Sequence, residues 1–524
     1  MNMPKSKHTT TVRDEVLIAL MLSVLATLAL LVASPDSYLH DLYDHVDSAW
    51  YYLCGKAWAN GLTPYVDFTD SKGPLLWLIY GLAYAMSPTD YTGVFWLTCL
   101  NFGVTLYIIY RCAGLLLGDR RLAVLAAVFM IMAYLYPAIH FEVKTEDFAQ
   151  PYVALCLYGT LRLWLNQGRQ SGRGMWWLMV MGVCMGCVAM IKYSFVPMLA
   201  IFALLSLVAL YRSRQSVWRG VLFLLAGMLL ALLPWVCYFV ATGTFKPFIQ
   251  EYVGNTLATV SQLHHDLGSW KDLLLKLRLK KIVTLFPVLC FGGALLHAAL
   301  LRRTRWVALV CTVWFFLLTI PNAWWIYYYV ICSWTMFFGI TALLHWVQGR
   351  PWHISRIAVA VISLVVVALT GTLSVWYYPS GFFTSKAPSR ETYYRYAYLM
   401  SQVPNPKVIY WDCYATGFET PAHGLPACKY WAGQNGATPA MRQAQEQAVR
   451  DGVADFVLVM DTVHDARLAA WGYHKWDYSR RDSVVPCDDV LFTLFTRHRL
   501  QPPSPTFTPP SAAMIVTKSW RNGR

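Results

Sequence analysis

Charge is what this sequence has least of. Only 14% of its 524 residues are Asp, Glu, Lys or Arg, where an ordinary globular surface needs about a quarter. That scarcity excludes a soluble domain of usual composition. The first apolar run has no small-residue cleavage site near enough, and is too long, for a removable signal peptide to be expected. There is no internal repeat. No basic stripe with interleaved aromatics occupies a polar segment, so the formal net charge of +15 does not point to nucleic acid. Most of the 13 cysteines (Cys99, Cys156, Cys184, Cys187, Cys290 and Cys311 among them) are embedded in apolar runs, where they act as small hydrophobes. The spacing of Cys184 and Cys187 imitates a redox or metal pair, but a helix apolar all round makes packing the better reading. Cys413, Cys428 and Cys487 fall in a polar region where a disulfide is conceivable, and sequence does not pair them.

What the chain has in quantity is apolar surface. It is 57% hydrophobic and 15% aromatic, with a mean hydropathy of +0.41. Runs such as 16–33, 221–242 and 357–375 are long enough to cross roughly 30 Å of hydrocarbon. The expected fold class is therefore a polytopic α-helical membrane protein. Eleven spanning helices are expected, near 15–34, 92–112, 121–138, 148–166, 175–191, 195–211, 219–241, 282–301, 306–321, 324–346 and 357–377. The positive-inside rule tests the count. With Lys5, Lys7 and Arg13 cytoplasmic, alternate loops should be basic. They carry Arg111, Arg120 and Arg121; Arg162, Arg169 and Arg173; Arg212, Arg214 and Arg219; Arg302, Arg303 and Arg305; and Arg350 and Arg356.

The same parity decides residues 75–86, which are apolar but too short to span. Counting them as a span would reverse every later loop. They are expected to lie along the outer interface behind Pro74, with Trp77, Tyr80 and Tyr84 at the headgroup level. Three loops then face outward: 35–91, 139–147 and 242–281. The last holds His264 and His265, whose adjacent side chains diverge and make a weak metal site. It also holds a basic run at 273–281 that suits an interfacial amphipathic helix. The aromatic run 324–329 suits an interfacial belt and could also stack on a sugar or guide a polyprenyl chain.

Residues 1–378 thus form a transmembrane unit. After it the pattern changes. Segments 407–413, 455–460 and one from Leu491 read as short strands, and 438–452 as a charged helix. Residues 379–500 are expected to be a small outward α/β domain, and 501–524 a Pro-rich disordered tail.

The chemistry-bearing residues gather in two outward loops. Asp44 and Asp47, three apart, share a helix face beside Trp50 and Tyr51. Glu146 and Asp147 end the second loop directly before a span. Converging carboxylates can take a proton from an attacking hydroxyl or amine. Lys72, fixed by Gly73 and Pro74, could neutralise a phosphate leaving group, and Lys192 could meet one too. Either lysine could instead be a snorkelling anchor. With no Gly-rich loop after a strand, nucleotide-sugar chemistry has no place. A base and a cation at a bilayer surface suit group transfer from a lipid-linked phosphate. A transporter or flippase is the alternative, but ionisable groups at mid-membrane and paired halves are missing. A glycan ligase using a lipid diphosphate would need more outward arginines than Arg278.

Asp47-Ser48, Gly55, Pro64-Tyr65-x-Asp67 and Asp70-x-Lys72-Gly73-Pro74 resemble the "DSxxxxxxG…PYxDxxDxKGP" signature of bacterial GT-C fold glycosyltransferases. These are relatives of the protein O-mannosyltransferases and of the transferase that adds aminoarabinose to lipid A. Thr145-Glu146-Asp147-Phe148 with Pro151 is similar to their "TEE[FYW]xxP" element. The resemblance covers about residues 40–160 and is weaker beyond. It implies a polyprenyl-phosphate sugar donor and an inverting transfer to a glycan, lipid or protein acceptor. The site would lie on the outer side of a bacterial cytoplasmic membrane, with the N-terminus inside. It implies Asp47 as base, Lys72 at the donor phosphate, and Glu146 and Asp147 as the second acidic element. Asp67, Asp70, Trp50, Tyr51 and Tyr65 would line the substrate. No cofactor is required; a divalent metal is compatible but not indicated. His45 and Val46 depart from the pattern, and Asp44 is a rival base one helical turn away.

Overall fold

A computed structural model describes residues 11–39, 46–135, 145–166, 173–255, 281–319, 329–352, 354–377, 388–433, 438–460, 462–478 and 492–504. The described residues of each of the eleven stretches read as spanning lie mainly on a helix. The first nine helices are α1 (Val12–Ala33), α2 (Val46–Ala59), α3 (Pro74–Met86), α4 (Thr92–Leu117), α5 (Arg120–Tyr134), α6 (Thr145–Leu165), α7 (Arg173–Lys192), α8 (Val196–Arg212) and α9 (Val217–Ala241). Further long helices follow at Lys281–Leu300, Arg305–Thr319, Val330–Gln348 and Arg356–Tyr377. Among the described residues, six stretches are long and apolar enough to cross a membrane on length and composition alone, one of them the continuous Gly174–Arg212.

Lipid-facing and protein-facing helices differ as their composition requires. α9 keeps Leu222, Leu229, Leu233 and Val240 exposed, an apolar face that only hydrocarbon can cover. Its other face meets α7 at van der Waals distance between backbones. A Cβ on Gly182 would stand 2.0 Å from the Leu224 carbonyl oxygen, and one on Gly227 would stand 2.0 Å from that of Met179. Small residues permit that approach where no hydrophobic effect drives helices together.

The basic turns collect at one end of the bundle. Arg120 pairs with Asp14 at 3.4 Å and Arg111 with Glu15 at 3.8 Å. Arg121 donates to the Ile354 carbonyl, and Arg111 also stands over the Tyr158 ring. The Trp164 indole donates to the Arg303 carbonyl, with Arg212 over its ring. Because α6 and α7 run the length of the bundle, Glu146 and Lys192 lie at the opposite end. Parity of charge along the sequence has become two chemically distinct ends.

At that second end sits a five-stranded mixed sheet of order β2-β1-β3-β5-β4. Its strands are β1 (Lys407–Tyr410), β2 (Leu425–Pro426), β3 (Phe456–Val459), β4 (His474–Trp476) and β5 (Thr493–Thr496). β1 and β3 are parallel, joined through the helix Pro439–Arg450, and β5 is antiparallel to β3. Strand side chains alternate between faces. Ile409, Val457 and Phe495 pack with Val449 of that helix, whereas Val408, Tyr410, Phe456, Leu458 and Leu494 join a core shared with α2, α3 and the end of α7. The sheet is therefore welded to the loop region by one continuous apolar cluster.

This changes the reading of α3. Trp77 and Tyr80 are not at a headgroup surface but fully buried. α2, α4 and α7 pack around the helix and the C-terminal sheet caps the same cluster, so its aromatic face is covered by protein. The exposed face of α3 carries Leu78, Leu82 and Met86 instead. Among the described residues neither Cys413 nor Cys428 is in a disulfide, and neither are Cys184 and Cys187 within α7. His264, His265, Arg278, Cys487 and most of the 324–329 run lie outside the described residues.

Candidate active site

Two helix N-termini bring the acidic loops together. Asp47 lies in the first turn of α2, and Glu146 and Asp147 lie in the first turn of α6. Each helix presents its partial positive end to these carboxylates. The meeting point is Tyr80 of α3, whose buried phenol feels the charges of Asp36, Asp147 and Asp47. The two loops, remote in sequence, thus both come within electrostatic range of one residue, whose ring touches Tyr51 of α2 and Phe148 of α6.

Each acid of the second loop is held differently. Glu146 receives the Lys192 ammonium at 2.5 Å and the Thr145 hydroxyl at 2.7 Å. Its backbone carbonyl accepts from Gln150, which in turn accepts from the Trp334 indole. Asp147 accepts the Tyr134 hydroxyl, and Asn101 donates to its carbonyl at 2.6 Å. Both acids are buried, so these partners replace the water they have lost. In the first loop Ser48 donates to Asp36 at 3.3 Å.

Lys72 is positioned by a strained turn. Tyr65 adopts a left-handed backbone with φ 64°, which a bulky residue takes only when its surroundings demand it. Here the demand is packing: its ring is wholly buried among Trp77, Phe239, Phe248 and Tyr252. The Tyr65 hydroxyl donates to the Lys72 carbonyl at 3.0 Å, and Gly73 N–H donates to the Ile191 carbonyl at 3.0 Å. The turn is thereby docked on the end of α7, one residue from Lys192. A side chain at position 73 could not fit, since a Cβ would stand 2.1 Å from the Met190 carbonyl oxygen. The Lys72 ammonium donates to Ser71 Oγ at 3.0 Å, stands 5.4 Å over the Tyr51 ring, and is 3.9 Å from Asp70.

The remaining sequence-selected residues divide. Trp50 packs against Trp431 of the C-terminal region at 4.8 Å, and Tyr51 against Tyr80 at 5.6 Å. Asp70 folds back on Ser71, accepting from its N–H and hydroxyl. Asp67 does not join the cluster: it is exposed and accepts from Thr63 N–H at 2.7 Å, closing a local turn. Asp44 lies outside the described residues. Among the described residues no three His, Cys, Asp or Glu side chains converge as a metal site would need.

The dolichyl-phosphate-mannose-protein mannosyltransferase family model matches residues 71–240, from the Lys72 turn past Glu146 and Lys192 to the end of α9. No curated protein matches the sequence. Among solved structures, ArnT from Cupriavidus metallidurans bound to undecaprenyl phosphate is similar over 93% of this chain and 99% of its own. That match has a TM-score of 0.56 at 14% identity. The apo state of the same protein matches with a TM-score of 0.57 and 13% identity, over 92% of this chain and 97% of its own. This chain has the GT-C fold.

Within the GT-C fold, several residues that sequence reasoning passed over are now part of the site region. Asp36 and Tyr134 carried no motif. Lys192 was noticed only as an isolated cation, without its carboxylate. Glu251 lies on the single π-helical turn Ile249–Gly254 and accepts from Lys429 at 2.6 Å, Tyr430 at 3.0 Å and Asn255 at 2.6 Å. Next to it, Tyr252 donates to the Ala189 carbonyl at 2.5 Å, and Thr69 N–H donates to the Lys429 carbonyl at 3.2 Å. The C-terminal region, the third loop and the Lys72 turn are therefore cross-linked around the end of α7.

Proposed function

We propose that this protein is a membrane glycosyltransferase that moves a sugar from a polyprenyl-phosphate donor to a cell-envelope acceptor, with inversion, on the non-cytosolic side. The observation that carries this is the convergence of Asp47, Asp147 and the Glu146–Lys192 pair with Lys72 at the end of the bundle remote from the arginine turns. The GT-C fold, shared with a protein solved with undecaprenyl phosphate, supports a lipid-phosphate donor. The positive-inside rule supports the sidedness.

In the proposed reaction Asp47 takes the proton of an acceptor hydroxyl. The freed oxygen attacks the anomeric carbon, and the bond from that carbon to the phosphate oxygen breaks. The lipid phosphate leaves with the electron pair and an added negative charge. Lys72 is the ammonium best able to meet that charge, because its nearest carboxylate stands off at 3.9 Å while Lys192 is committed to Glu146. A single displacement inverts the sugar carbon. Asp147, held by Tyr134, orients the acceptor or assists the base.

The test is transfer from radiolabelled polyprenyl-phosphate sugars in lipid nanodiscs, together with mass spectrometry of the lipid that copurifies. Asp47→Asn should lower turnover by roughly 10²–10⁴ while leaving donor binding intact. Wild-type turnover in that variant, with loss in Asp44→Asn, would move the base by one helical turn. Absence of any polyprenyl-phosphate sugar among bound lipids and of transfer from every such donor would overturn the proposal.

A further inference from the structure

α3 carries a polar group that no step of the proposed reaction uses. Tyr80 is fully buried, its ring fixed by Tyr51 of α2 at 5.6 Å and Phe148 of α6 at 5.8 Å. Those two residues belong to the two helices that bear Asp47 and Asp147. The Tyr80 ring is thus flanked by residues near the two acidic helix starts. Its hydroxyl makes no hydrogen bond of normal geometry among the described residues. Ser48 stands beside it as a donor, and also donates to Asp36 at 3.3 Å. A buried O–H without an acceptor costs about 1–3 kcal/mol, and the carboxylates of Asp36, Asp147 and Asp47 lie within electrostatic reach of it.

The chemistry of the surroundings fixes the role. Burial first, then the charge of Asp36, and then those of Asp147 and Asp47 push the phenol well above its ordinary range, with Ser48 opposing. Tyr80 is therefore a neutral donor at every pH where a carboxylate base works. It cannot act as an acid or base itself. A hydrogen bond donated to a carboxylate favours the charged form of that carboxylate.

We infer that Tyr80 is a positioning residue of the transfer site: its neutral hydroxyl donates to the carboxylate that takes the acceptor proton, holding it ionised and turned toward the acceptor. This rests on the proposed glycosyl transfer for its kinetic consequence, but not for the hydrogen bond itself. The other charged groups on or next to the elements around this end of α3 are Lys72, Lys192, Glu146, Lys56 and Asp90; Arg111 of α4 and Arg173 of α7 lie toward the opposite ends of their helices. Lys192 is paired with Glu146, and Asp90 accepts from Ser87 and Thr92 N–H. Lys72 lies over the far ring of Tyr51. None of these occupies the place of the phenol.

The experiment uses Tyr80→Phe, which keeps the ring and its contacts, and Tyr84→Phe one turn along α3 as control. In nanodiscs, Tyr80→Phe should lower kcat about tenfold with the donor KM unchanged, and should move the acid limb of the pH–rate profile upward by about one unit. Tyr84→Phe should do neither. Labelling of protonated carboxyls by a water-soluble carbodiimide, read by peptide mass spectrometry against pH, supplies a measure independent of turnover. The midpoint for Asp47 or Asp147 should rise in Tyr80→Phe. If labelling shifts while neither protein transfers sugar, the glycosyl transfer fails and the hydrogen bond stands. Unmoved labelling midpoints, or an unmoved acid limb in a protein that does transfer, overturn the role of Tyr80.

Discussion

Gly73 offers the sharpest test of how the site is assembled. Its α-carbon lies so close to α7 that an added Cβ would sit 2.1 Å from the Met190 carbonyl oxygen and 2.3 Å from the carbonyl carbon, where ordinary contact begins near 3.4 Å. Both obstructing atoms are backbone in a packed helix, so no side chain can swing aside. In Gly73→Ala the Lys72 turn must therefore retreat by roughly 1 Å, a misplacement of the size that can cost about 10²-fold in rate. The retreat also breaks the hydrogen bond from Gly73 N–H to the Ile191 carbonyl, worth about 0.5–1.5 kcal/mol. The chain should still fold, because the Tyr65 ring remains anchored in its aromatic nest. The assay is single-turnover transfer from a radiolabelled polyprenyl-phosphate sugar, with thermal unfolding measured on the same preparation. Gly114→Ala is the control: it adds a methyl inside α4 with nothing within 4 Å. The expected outcome is a loss of about two orders of magnitude in Gly73→Ala and none in Gly114→Ala. A Gly73→Ala protein that transfers at the wild-type rate would refute the claim that the docked turn sets the position of Lys72.

Two further predictions concern buried charge. Lys192→Met takes the ammonium from the Glu146 carboxylate, whose side chain is 4% exposed, and should cost about 3–5 kcal/mol in stability. The double variant Lys192→Met/Glu146→Gln should recover most of that loss in a thermal scan. At the seam between α2 and the C-terminal region, burial brings the Lys56 ammonium down from 10.5 to about 7, with Glu419 opposing the fall. The unfolded chain then binds that proton more tightly than the folded protein, so stability should rise with pH between about 7 and 10.5, by at most about 1.4 kcal/mol per unit. Glu419, raised chiefly by burial, contributes the opposite slope as pH rises through its own titration. Lys56→Met should flatten the alkaline rise in apparent Tm, and an unchanged slope would show that Lys56 is hydrated.

Composition and charge parity made the helical unit legible, because crossing a bilayer imposes length and apolarity on contiguous residues. The helices that begin at Thr92, Val217 and Arg356 follow directly from that constraint. The Lys72-Gly73-Pro74 turn and the Glu146-Asp147 start of α6 were equally readable, since each is local in sequence. What stayed hidden depends on partners far along the chain. Lys192 looked like an anchor because Glu146 is 46 positions away. Aromatic residues on a short apolar helix satisfy a membrane interface and a protein core equally well, so Trp77 and Tyr80 gave no sign that Tyr65 and Phe68, and Tyr51 and Phe148, would enclose them. Strands β2 and β4, of two and three residues, are too short to show a period.

The C-terminal region does more than follow the helices in sequence. The segment Lys429–Trp431 touches the site region from several sides: its backbone receives Thr69 N–H, Lys429 and Tyr430 hold Glu251, and Trp431 packs on Trp50. Thr69 is three residues from Lys72, and Trp50 is three from Asp47. A sheet domain that only bound an acceptor would have no reason to contact both the cation turn and the base helix. Its contacts instead fix the spacing between Asp47, the proposed base, and Lys72, the proposed phosphate-binding cation. Such spacing is what converts two common side chains into a catalytic pair, since effective molarity depends on geometry held within a fraction of an ångström. In this chain the spacing of Asp47 and Lys72 is set by residues that come more than three hundred positions after both.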